Sequence, residues 1–215
     1  MKKYELTEET VTVFKKTLYR IRAVRDFGSV KTGKFGGYIE KEENLSHFDN
    51  AWVSGDARVF GDAKVSGDAK VYGDARVFGN AKVFDNAEVY GDAKVSGDAW
   101  VSGDAWVYGN ARVSGDAKVF GNAWVSGDAK VYENAEVFNT RHYCTQGPIG
   151  SRNGFVTFYR TKDNAVGVRC GCFSGSLQEF VHKVEETHRG SKYEKEYKLA
   201  TELAKVCIRL EEESK

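Results

Sequence analysis

Ala87-Glu88-Val89-Tyr90-Gly91-Asp92-Ala93-Lys94-Val95-Ser96-Gly97-Asp98 states one six-residue phrase twice. The phrase, Ala-x-Val-x-Gly-Asp/Asn, runs without a slip from Ala51 to Asn139. Valine stands at 53 and at every sixth position to 137, fifteen times, with alanine two residues before each. Residues two apart on a strand share a face, so each Ala and Val pair points inward and the residues flanking Val point out. Gly-Asp or Gly-Asn turns the corner, because Gly enters positive φ freely and Asn and Asp tolerate it best among the rest.

Three such units close a triangular coil of 18 residues. Fifteen units make about five coils, stacked at the strand spacing of about 4.8 Å. The fold class is mainly β, a parallel β-helix whose two ends need caps. The run resembles the hexapeptide-repeat, left-handed parallel β-helix superfamily, and the left hand of the coil is what that resemblance implies. Its best-known members are acyltransferases and zinc carbonic anhydrases, which need a histidine base or three histidine ligands. All four histidines here, His47, His142, His182 and His188, lie outside the repeat, and no loop interrupts it. The expectation is a non-enzymatic protein without a cofactor, a degenerate acyltransferase being one alternative.

Positions 18 apart stack into columns. Ahead of valine stand Trp52, Lys70, Glu88, Trp106 and Trp124 on one face, and Arg58, Arg76, Lys94, Arg112 and Lys130 on the next. The third face carries Lys64, Lys82, Trp100, Lys118 and Glu136. Beside the first column run Ser54, Tyr72, Tyr90, Tyr108 and Ser126. Trp52, Tyr72, Tyr90, Trp106, Tyr108 and Trp124 therefore read as an interface. Its possible occupants are a second copy in a homodimer or homotrimer, a foreign protein such as a host protein, or sugars and bases stacked on the rings. The basic column could follow a phosphate backbone. The corner Asp and Asn residues can instead neutralise it, and nucleic acid is not expected. Those corners are read as turn formers.

Residues 1–50 read as a β cap with an irregular first coil, its strands falling over 3–8 and 10–24, with Ile39 and Leu45 on the alanine phase. Residues 51–139 are the repeat. Residues 140–215 read as a small ββαα module: a hairpin of 154–160 and 165–173, a helix opened by the capping box Ser176 to Glu179, and a second helix over about 192–210. In this module Ser151, Arg152 and Asn153 precede a strand, and Ser174 and Ser176 lead into a helix N-terminus. With Arg169 they form the candidate site for a small phosphorylated ligand. The alternative is an ordinary loop that satisfies its own backbone. His142, Cys144, Cys170 and Cys172 are a weak zinc candidate.

The 215 residues carry 32 Lys+Arg against 31 Asp+Glu, a net charge of +1, so no global field recruits nucleic acid or an anionic membrane. The ends are mildly basic and the repeat mildly acidic. No run is apolar enough for a signal or a membrane span, and a cytoplasmic protein is expected. Gly33-Lys-Phe-Gly-Gly-Tyr-Ile-Glu before the repeat, with Gly150-Ser-Arg-Asn and Arg169-Cys-Gly-Cys-Phe after it, resembles hexapeptide-repeat proteins of phages and prophages. By analogy, that likeness implies an accessory protein in the host cytoplasm that captures a nucleotide signal and antagonises host defence. A scaffold acting through the aromatic face is the competing expectation.

Overall fold

The computed structural model describes residues 2–210. Fifteen two-residue strands, β4 (Trp52–Val53) through β18 (Glu136–Val137), form one per repeat and stack into three parallel sheets. Partners are 18 residues apart, as in Trp52 with Lys70 and Arg58 with Arg76. The columns therefore stand as the sequence predicts. Each coil donates forward, Lys64 N–H to the Ala81 carbonyl at 2.9 Å and Ser66 N–H to Val83 at 3.0 Å. The alanines and valines of the repeat are buried along the whole axis. Each valine contributes roughly 2 kcal/mol by burial.

Glycine at the corners answers two demands. Gly97 has φ of +68°, and a Cβ there would lie 2.9 Å from the Gly115 nitrogen of the next coil. Where Asp85 replaces it, φ stays at +58° and the carboxylate accepts from Gly103 N–H at 3.1 Å.

An irregular first coil brings the solenoid to about six turns. Ile39 pairs with Val59, and Leu45 bridges to Val65. Both therefore occupy valine slots, correcting the expected alanine phase. The offset of 20 residues instead of 18 comes from two extra residues between Leu45 and Val53, where Phe48 is thrust into solvent and Asp49 takes φ of +52°.

The N-terminal cap is one long hairpin, β1 (Tyr4–Val13) and β2 (Lys16–Ala23), followed by β3 (Phe35–Ile39). Its turn is Phe14-Lys15, both with positive φ, rather than near residue 9; no Gly or Asn marks it. The hairpin extends the basic face into an eight-stranded sheet. Lys3 and Tyr4 reach beneath the coil, and Ile21, Phe27 and Val30 pack on the same core. The Lys3 ammonium, fully buried, donates to the carbonyls of Phe48, Asp49 and Ala51 at 3.3, 3.4 and 2.8 Å. The Tyr4 hydroxyl donates to those of Glu42 and Leu45.

The C-terminal module has four strands, not two, before its helices: β19 (Tyr143–Ile149), β20 (Gly154–Arg160), β21 (Val166–Cys170) and β22 (Phe173–Ser176). Gly147-Pro148 disguised β19 as loop, and the turn at Gly171-Cys172 divides what reads as one strand. The helices are α1 (Leu177–His188), opened by the expected capping box, and α2 (Lys192–Cys207). Val156, Phe158 and Val168 pack against Phe180, Val184, Ala200 and Ala204 in a second core. On α2 the alanines Ala200 and Ala204 make the close approach, while Leu203 is exposed. Tyr159 crosses from β20 into the solenoid core and plugs its end. The last coil's N–H groups find acceptors in this module: Ser126 in the Tyr143 hydroxyl, Lys130 in Thr157 Oγ1 and Phe138 in His142 Nδ1.

Candidate functional site

A concavity of about 760 Å³ runs along the aromatic face between the tryptophan column and the corner column Asn50, Asp68, Asn86, Asp104 and Asn122. Alternation in that corner column has a physical use. The Asn50 amide donates to Asp68 Oδ1 at 2.8 Å and the Asn86 amide to Asp104 Oδ1 at 3.0 Å, so no carboxylate lies directly over another. The floor between Trp52 and Trp106 is Lys70 and Glu88, paired at 2.9 Å. Tyr72 donates its hydroxyl to the same Glu88, and burial first, then that carboxylate, pushes its ionisation well up. Tyr72, Tyr90 and Tyr108 stack ring on ring at 4.8 and 5.0 Å beside the trough.

The tryptophans differ from their expected setting. Trp52 is not on the outside: it is 5% exposed, lying against Phe27 and Tyr4 beneath the loop that carries Gly28, Ser29 and Val30. Its buried indole N–H has no acceptor among the described residues. Trp106 and Trp124 stack in parallel at 5.1 Å, and Trp124, on the edge strand, is 48% exposed. Lys34 reaches the same trough from the loop.

The basic column lines a second trough of about 570 Å³ with Arg76, Lys94, Arg112 and Lys130. Asp74, Asp92 and Asp128 line it too, so the cations face a nearly equal number of carboxylates. Arg58 lies beyond this trough, on the N-terminal coil of the same sheet.

The six residues expected to hold a phosphorylated ligand are distributed over the C-terminal sheet. Ser151, Arg152 and Asn153 form the exposed turn between β19 and β20. Arg169 pairs across from Thr157 and Ser174, and its guanidinium lies over the Tyr132 ring at 4.8 Å. The Ser174 hydroxyl points to Glu133 at 3.4 Å. Ser176 sits opposite Gly167, in turn opposite Tyr159, five residues along β20 from the turn, or about 17 Å at the rise of a strand. The α1 N-terminus already holds an anion: Glu179 accepts from the Ser176 N–H and hydroxyl, both at 2.8 Å, and these bonds hold its carboxyl below the usual range.

The zinc candidates are likewise apart. His142 is buried at the last corner, where burial lowers its pKa to about 4. Burial raises the Cys144 thiol, Cys207 beside it adding to the shift, while Cys170 donates to the Tyr197 hydroxyl at 3.9 Å and Cys172 is exposed in a turn. Among the described residues no three His, Cys, Asp or Glu side chains gather around a point that would hold a metal.

The class this architecture defines is a β-solenoid capped at both ends. A family model described as the YdcK beta solenoid repeat matches residues 105–119, one stretch of the coil. No curated protein matches the chain. Among the described residues no helix is long and apolar enough to cross a membrane.

What sequence reasoning missed is the corner column as part of a site. The signal was present at 18-residue spacing, in the alternation of Asn and Asp through 50, 68, 86, 104 and 122.

Proposed function

We propose that this chain is a non-catalytic binding protein in which the capped solenoid is a rigid rod and the aromatic trough is its recognition surface. The observation that carries this reading is the meeting of Trp52, Trp106 and Trp124 with the Asn/Asp column in one cavity of about 760 Å³. Sites that take a ligand are concave, largely apolar and set with a few polar groups. No histidine lines either the aromatic or the basic trough, so neither holds the histidine base that hexapeptide-repeat acyltransferases use.

Native mass spectrometry of the full chain purified from bacterial cytoplasm tests the reading, with the double variant Trp106→Ser, Trp124→Ser beside it. An extra mass on the parent chain that the variant lacks is the expected result. An oligomer that the variant dissolves would assign the face to self-assembly instead. Identical bare monomers would overturn the trough as a recognition surface.

A further inference from the structure

Two cysteines far apart in sequence meet in the C-terminal module. Cys144 is the second residue of β19 and directly follows His142 and Tyr143, whose side chains close the last coil. Cys207 is the final residue of α2. That helix packs on β19, and past its end the backbone turns extended at Ile208, so that the Arg209 N–H donates to the Arg141 carbonyl at 3.1 Å. The bond anchors the end of α2 at the start of β19 and brings the Cys207 thiol beside that of Cys144. Both residues are half-buried, within reach of a small reagent.

The other two thiols stand apart from this pair. Cys170 donates to the Tyr197 hydroxyl at 3.9 Å, and Cys172 is exposed in the turn after β21. A single buried cysteine packs as a small apolar side chain, whereas two held together can exchange thiols for a bond.

We infer that Cys144 and Cys207 are a redox site that forms a reversible disulfide by exchange with a small disulfide such as oxidised glutathione. The Cys207 thiol gives its proton to solvent, and the thiolate attacks one sulfur of the reagent, expelling one glutathione as its thiol. Cys144, deprotonated in turn, attacks the Cys207 sulfur of the mixed disulfide and expels the second. Two protein thiols are oxidised to one disulfide, and one glutathione disulfide is reduced to two thiols. Burial holds Cys144 protonated and slow toward a free reagent, which suits it to the second, intramolecular step. The bridge joins the end of α2 to the strand that caps the coil and encloses β20, β21, β22 and both helices in one covalent loop. Such a loop restricts the unfolded module more than the folded one, so oxidation tightens the C-terminal cap and reduction releases it.

The test uses the full chain with Cys172→Ser, which removes the exposed thiol. It is incubated folded with oxidised glutathione, and the remaining thiols are then alkylated. The mass before alkylation falls by two hydrogens, a peptide map without reductant joins the peptides of Cys144 and Cys207, and the melting temperature rises by several degrees and returns with dithiothreitol. Adding Cys144→Ser traps the first step, leaving glutathione on Cys207. Alkylation of both Cys144 and Cys207 after the incubation overturns the site, as does a map that joins either of them to Cys170 instead. A 144–207 bridge with no rise in melting temperature overturns its hold on the cap.

Discussion

The two ends of the solenoid need opposite chemistry. On each face the N–H groups before and after valine go forward to carbonyls of the next coil, while the next coil's valine N–H comes back, so the outer edge of the first coil presents mainly carbonyls and that of the last mainly N–H groups. The N-terminal cap answers with donors, the Lys3 ammonium and the Tyr4 hydroxyl. The C-terminal module answers with acceptors, the oxygens of Tyr143 and Thr157 and the imidazole nitrogen of His142. A coil that looks uniform in sequence is thus polar along its axis, and only its caps reveal the direction. Tyr4 and Tyr159, both buried, plug the apolar bore at the two ends.

The largest effect comes from disturbing the phase between the caps. Deleting residues 91–107 turns every later valine outward and abolishes the folded β signal in circular dichroism, whereas deleting 91–108 removes one whole coil and leaves it folded. If both deletions fold equally well, the coil does not set the register of its ends. At the acceptor end, Lys3→Met strands three carbonyls and costs about 3 kcal/mol, measured as a shifted denaturant midpoint. A neutral result there would remove the donor role of the ammonium.

The donor end is sensitive to acid. His142 has a pKa of about 4 in the folded chain against 6.5 when free, so between those values the unfolded state binds the proton and the folded state does not. Stability is therefore lost as pH falls from about 6.5 toward 4, where protonation also takes away the Nδ1 acceptor. The melting temperature of the parent should drop over that range and that of His142→Asn, which keeps an acceptor, should stay flatter; parallel profiles would assign the acid sensitivity elsewhere. Thr157→Val, nearly the same shape, leaves Lys130 N–H unpaired and costs about 1 kcal/mol. Smallest of all, Arg152→Ala at its exposed turn should leave both stability and the native mass unchanged. Loss of a small phosphorylated adduct in that variant would restore the phosphate reading of the C-terminal module.

Legibility in the sequence followed the range of the interactions. The coil, its columns, the capping box at Ser176 and both helices rest on contacts at fixed short spacings or at the constant step of 18, and these could be read directly. The caps could not. Lys3 reaches Ala51 across 48 positions, and nothing near Lys3 in sequence marks it as buried. Trp52 sits in phase with Trp106 and Trp124, yet the loop around Phe27 folds over it. The expected phosphate site grouped two short stretches that the sheet spreads along β20, with Ser151 to Asn153 at its start, Arg169 and Ser174 beside its middle and Ser176 toward its far end.

By itself, then, the sequence determined a β-solenoid of 18-residue coils and which side chains share a column, because each coil repeats the same contact with its neighbour. Tertiary structure alone decided which columns border a concavity, which tryptophan is covered, and how the ends are closed. Those outcomes depend on segments that meet once, with no period to announce them, and on backbone groups whose partners exist only after the chain has folded.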